Sequence, residues 1–150
     1  MQLHRTDSDN TDFRYLLTFL DAYLAEMDGA EHAFYAQYNK VDKIKHVVVA
    51  YHQDKAVGCG AIKEFSAERM EIKRMYTIPE ARGLGVATAI IKDLENRAME
   101  LGYQACVLET GKRQVEAIKL YEKVGYRVID NYGQYAGVEN SLCFEKKLGG

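Results

Sequence analysis

Apolar residues recur at helical spacing over residues 10–28, where Phe13, Leu16, Leu17, Leu20, Leu24 and Met27 fall close to an i, i+3, i+4, i+7 stripe. Asp9 or Asn10 is available as an N-cap and Gly29 stands just past the end, so the spacing predicts a helix. Residues 31–39 are rich in aromatics and read equally as a short helix or a loop. The pattern then changes to extended segments. Residues 46–51 (HVVVAY) are a β-branched run, Gln53-Asp54-Lys55 resembles a turn, and residues 56–65 continue in extended fashion, which predicts an antiparallel hairpin. A third strand is expected over residues 70–78. The helical period returns over residues 83–101, with Leu84, Ala87, Ile90, Ile91, Leu94, Ala98 and Leu101 on one face and Gly102 as the stop. Cys106-Val107-Leu108 reads as a short buried strand. Residues 113–124 form a further amphipathic helix through Val115, Ile118, Tyr121 and Val124, ended by Gly125. Residues 126–129 and 142–148 read as two closing strands, joined by a tyrosine-rich stretch over residues 131–140.

The predicted order is therefore helix, three strands, helix, strand, helix, two strands. It specifies a mixed α/β fold on one sheet, antiparallel in its N-terminal strands, with a parallel step in the β-α-β unit of residues 70–109. That crossover is expected to be right-handed. A length of 150 residues predicts a single domain over residues 1–150. With 47% hydrophobic and 28% charged residues, the composition is that of an ordered globular chain. The formal net charge of -2 offers no basic excess, so no nucleic-acid partner is expected. Cys59, Cys106 and Cys143 form no C-x-x-C pair, and the four histidines are scattered without ligand spacing, so neither a disulfide framework nor a metal site is expected. No apolar run approaches the roughly 18 residues that cross a bilayer, and the first residues carry no signal-peptide core. No membrane association and a cytoplasmic location are the expectation.

Chemistry concentrates in residues 71–88. There a strand ends, Pro79 makes a turn, and Gly83 and Gly85 open a long helix. Glycines permit a tight turn and remove side chains that would hold a ligand off the backbone. The first N–H groups of a helix have no internal partner and lie at the positive end of the macrodipole, where an anion, most often a phosphate, is the natural occupant. The segment is not a Walker A loop, because G-x-x-x-x-G-K-[ST] is absent. It also lacks the third glycine of the Rossmann fingerprint.

Arg82-Gly83-Leu84-Gly85-Val86-Ala87 resembles the R/Q-x-x-G-x-G/A signature of the GNAT superfamily of acetyl-CoA-dependent N-acetyltransferases. The strand with Glu71 and Met75-Tyr76-Thr77 looks like that family's fourth strand. Residues 108–111 (LETG) and 116–126 (EAIKLYEKVGY) look like its fifth strand and the following helix with its L-Y-E-K-x-G-[FY] ending. The resemblance implies a GNAT-like domain whose parallel strands splay to admit acetyl-CoA. It assigns Arg82, Gly83, Leu84, Gly85, Val86, Ala87 and Thr88 to the pyrophosphate cradle, and Met75, Tyr76 and Thr77 to the pantetheine arm. Tyr121 is the expected general acid for the departing thiolate, and Glu71 the expected general base.

Other readings of these residues stand beside the resemblance. By periodicity alone Tyr121 is a core aromatic, Glu71 is a salt-bridge partner of Lys73 or Arg69, and Glu109 is a competing base on the next strand. Cys106 reads as a small core residue. The acceptor implied by the resemblance is a primary amine of a small molecule or peptide, attacking directly in a ternary complex. Residues 1–31 carry seven carboxylates against two arginines, which either form an acidic wall favouring a cationic amine or a solvated helix face. Tyr132 and Tyr135 are expected at the same pocket or at a dimer contact, the chain being a monomer or homodimer. The alternative function is a non-catalytic acyl-CoA-binding sensor or scaffold. The acyl group, acetyl or longer, is left open.

Overall fold

A computed structural model describes residues 1–36 and 43–149. Its single sheet has seven strands in the order β1-β2-β3-β4-β5-β7-β6. The strands are β1 (Gln2–Thr6), β2 (His46–His52), β3 (Lys55–Glu64), β4 (Arg69–Thr77), β5 (Ala105–Gly111), β6 (Arg127–Ile129) and β7 (Ser141–Lys147). The helices are α1 (Thr11–Asp28), α2 (His32–Ala36), α3 (Val86–Glu100) and α4 (Val115–Lys123). All neighbouring pairs are antiparallel except β4 and β5. The mixed α/β domain with a parallel step at β4-α3-β5 is thus the one the sequence pattern describes.

Local chemistry explains most of the boundaries. Asn10 caps α1 through its side chain, which accepts from the Phe13 N–H at 2.9 Å. Phe13, Leu16, Leu17 and Leu20 then bury the helix stripe against the sheet. Gln53 and Asp54 both take positive φ between β2 and β3, the backbone that suits the twist of a two-residue hairpin. Of the aromatic stretch over residues 31–39, the described part is a 3-10 turn at Gly29–Glu31 followed by α2, and residues 37–39 lie outside the described residues.

Three features differ from the sequence pattern. The strand β1 was not expected, since QLHRT has neither alternation nor a β-branched run, and four of its residues are exposed. It forms by adding its backbone to β2, with Leu3 opposite Ala50 and Arg5 opposite Val48. Arg5 then bridges to α3 through Asp93 at 3.0 Å and Glu100 at 2.9 Å. The start of α3 is the second difference. Gly85 adopts φ 79 as its N-cap, so the helix begins at Val86, which is buried, while Leu84 before it is 63% exposed. Third, Tyr126 precedes β6 rather than belonging to it, and its buried hydroxyl donates to Glu95 of α3 at 2.8 Å.

The helix α3 packs on one face of the sheet through Ile90, Ile91 and Leu94, and α1 covers the other. Cys59, Cys106 and Cys143 are free and buried. No helix among the described residues is long and apolar enough to cross a membrane.

Candidate active site

Strands β4 and β5 pair only at Arg69↔Ala105, Met70↔Cys106 and Glu71↔Val107. Beyond Glu71 they separate, so β4 over residues 72–77 has no strand partner on its β5 side. Unpaired backbone of this kind is a template for an extended ligand to lie along. Met75, Tyr76 and Thr77 are half-buried along this stretch.

At the end of β4 the chain makes a 3-10 turn at Pro79–Ala81 and enters the glycine turn. Arg82 lies across the strand end, its Nε donating to the Thr77 carbonyl at 3.4 Å. Gly83 and Gly85 have φ of 81 and 79, in the region that disfavours side chains, and open space lies where each Cβ would project. The N-cap residue of α3 is Gly85, which has no side chain to cap the helix. The N–H groups of Val86, Ala87 and Thr88 therefore begin the helix without an internal partner. Positive-φ glycines with open space beside them leave the backbone at the start of α3 accessible to a ligand.

A solvent-open cavity of about 90 Å³ lies on the α1 side of the splay. It brings together Glu71, Glu109 and Tyr121, the two candidate bases and the candidate acid. Tyr121 packs its ring near Tyr126 and Phe144, with centroids 6.0 and 6.1 Å away. It is both a core aromatic and a cavity residue. Burial, reinforced by the Glu109 charge, pushes its hydroxyl pKa up, so the group keeps its proton at neutral pH.

The two carboxylates are held differently. Glu71 accepts from the Tyr132 hydroxyl at 2.7 Å on Oε2, and Lys73 Nζ stands 3.8 Å from Oε1. The salt-bridge reading with Lys73 is therefore present, whereas Arg69 pairs with Glu145 at 3.3 Å. Glu109 accepts from Ser141 Oγ at 2.8 Å on Oε2. Because the serine spends its only proton there, the Tyr35 hydroxyl, 2.9 Å from the same Oγ, is the donor to it. Tyr35, Ser141 and Glu109 thus form a directed chain. Burial pushes the Glu109 carboxyl up to about 7, with the Asp28 and Glu71 charges adding to the effect and Ser141 and Lys73 opposing it.

Tyr35 and Arg74 line the space without any sequence signal, whereas Asp28 comes from the acidic N-terminal segment and Tyr135 from the tyrosine-rich stretch. Of the seven N-terminal carboxylates only Asp28 lines the cavity. Asp12 accepts from Tyr51, Asp9 pairs with Arg14, and Asp21 pairs with Arg74, so the acidic wall is mostly a solvated helix face. Among the described residues no cluster of His, Cys, Asp and Glu is arranged to hold a metal ion.

The family model described as Acetyltransferase (GNAT) family matches residues 10–126. The chain is 33% identical over 135 residues to an IAA acetyltransferase of Azospirillum brasilense, spanning 89% of this chain and 88% of that protein. It is 35% identical over 101 residues to the uncharacterized N-acetyltransferase YsnE of Bacillus subtilis, spanning 66% and 67%. Among solved structures, one from Klebsiella pneumoniae assigned to the acyl-CoA N-acyltransferases superposes with a TM-score of 0.81 at 27% identity, over 98% of this chain and 97% of that one. A GNAT family acetyltransferase from Elizabethkingia anophelis with acetyl-CoA bound shares the fold, with a TM-score of 0.68 at 17% identity over 98% and 97%.

Proposed function

Since the chain belongs to the GNAT acetyltransferase family, we propose that it transfers the acetyl group of acetyl-CoA to a primary amine of a small molecule or peptide, by direct attack in a ternary complex. The observation that carries this reading is the splay itself. One unpaired strand edge runs from a glycine cradle at α3 to a cavity holding a protonated tyrosine and two carboxylates.

Acetyl-CoA supplies an activated thioester. In this reading residues 82–88 bind its pyrophosphate through backbone amides, and Met75, Tyr76 and Thr77 align the pantetheine arm along β4. In the same reading a backbone N–H near Tyr76 stabilises negative charge on the acyl oxygen.

An ammonium acceptor must lose a proton before it attacks. Glu109 is better suited than Glu71 to take it. Its carboxyl sits at about 7, close to a neutral working pH, and it lines the cavity on the next strand. Glu71 is engaged on both oxygens, and its role is to attract the ammonium and keep Glu109 basic. Tyr121 gives its proton to the departing thiolate.

The test is release of CoA thiol from acetyl-CoA in the presence of a panel of amines, with wild type and Tyr121→Phe compared. Amine-dependent release that falls in the variant supports the proposal. Acetyl-CoA binding without release from any amine would instead favour the sensor or scaffold.

A further inference from the structure

Arg74 is the least satisfied charged group of the cavity. Its side chain is 2% exposed, and its one side-chain partner among the described residues is Asp21 of α1, 2.7 Å from Nη2 and 54% exposed. Nε and Nη1 are buried without a hydrogen-bond partner among the described residues. Three N–H bonds of a cation are thereby withheld from both water and protein, an arrangement that is costly to leave unmade.

The backbone holds this cation in place at a further cost. Arg74 has φ 59, a region that side chains rarely adopt. The β3–β4 register slips at the same place, Cys59 facing Tyr76 while Ala61 faces Lys73. This bulge sets Arg74 on the side of the sheet that already carries Glu71 and Lys73, whereas consecutive strand residues ordinarily alternate. Strain kept at a cavity wall, together with orphaned donors, points to a ligand group that completes the site.

We infer that Arg74 receives a carboxylate of the acceptor, so that the acceptor is a free amino acid or similar zwitterion rather than a simple cationic amine. The inference rests on the reading of this cavity as the acceptor side. Opposite charges on the cavity wall then match opposite charges on one small molecule. Glu71, Glu109 and Asp28 face the ammonium, and the guanidinium faces the carboxylate, for which its planar donors are suited.

The experiment measures kcat and KM for matched triplets: amino acids, their carboxamides and their decarboxylated amines. Wild type is compared with Arg74→Asn and Arg74→Lys. Asparagine tolerates the positive φ, so the first variant is expected to fold, and half-exposed Asp21 is rehydrated. The ratio of acid to amide rates between wild type and variant cancels the different basicities of the amines. For Arg74→Asn, kcat/KM for the acids is expected to drop roughly 10–100-fold more than for the amides, mainly through KM, with Arg74→Lys between the two. Equal losses for acid and amide overturn the inference, as do acids that are not acetylated while the amines are. In that last case the acetyltransferase reading stands. A protein that acetylates nothing and gains no thermal stability from acetyl-CoA loses both.

Discussion

Glu109 and Tyr121 share a cavity but place opposite demands on their protons. Glu109 must be ionised to accept one, so kcat/KM is expected to rise with pH through about 7. Glu109→Gln is expected to lower the rate by roughly 10²–10⁴ and to remove that limb of the profile. A retained limb would return the base role to Glu71. The same carboxyl makes a separate prediction about stability. Its value in the folded state is raised from 4.5 to about 7, so the folded protein holds a proton that the unfolded chain has released. The contribution is fully present below about 4.5 and is lost as pH climbs to about 7. Glu109→Gln should therefore raise the melting temperature relative to wild type at pH 8 and change it little at pH 4. Tyr121→Phe keeps the ring against Tyr126 and Phe144, so a folded, acetyl-CoA-binding protein is expected whose turnover falls by roughly 10²–10⁴. Wild-type turnover in that variant would leave Tyr121 a packing residue. Glu71 and Tyr121 are named in the sequence by their resemblance to the family's fourth strand and L-Y-E-K helix, and Glu109 as a competing base on the next strand, whereas periodicity alone would leave Tyr121 in the core. Their ranking is not legible there, since it depends on Tyr132 and Ser141, which arrive from far along the chain.

The helix α3 depends on two different uses of glycine, one at its own start and one on β3 beneath it. Gly85 is needed for its backbone angle and has open space around it. Gly85→Asp is expected to fold, because aspartate tolerates positive φ, and to lose the thermal shift given by acetyl-CoA, because a negative charge then occupies the cradle. An undiminished shift would remove this turn from the binding site. Gly60 is needed for lack of volume. A Cβ there would lie 2.9 Å from Ile90 Cγ2 and 3.0 Å from Leu94 Cδ1, where α3 presses on the sheet. Gly60→Ala should cost roughly 1–3 kcal/mol, measurable as a lower denaturation midpoint. The glycine turn is legible in the residues alone, since its spacing ahead of a helix has a physical reason. The bulge at Arg74 is not, because lysine and arginine in succession give no hint that one has left the alternation. Nor is β1 visible there, being fixed by backbone pairing and an Arg5 bridge rather than by apolar residues.

At the scale of the whole chain, a ligand that spans β4 and the start of α3 stabilises only the folded state. At about 100 times its dissociation constant, acetyl-CoA is expected to add about 2.7 kcal/mol and to raise the melting temperature by roughly 5–10 °C. Absence of any shift would count against the cosubstrate. The sheet also shelters every cysteine. Burial pushes the thiols of Cys59 and Cys106 up to about 12 and that of Cys143 to about 11, far from the reactive thiolate. A disulfide dye such as Ellman's reagent should therefore find no colour in the folded protein, so that every equivalent it counts during turnover comes from coenzyme. In denaturant the same dye should read three equivalents per chain, and the rate at which they appear would time the opening of the sheet.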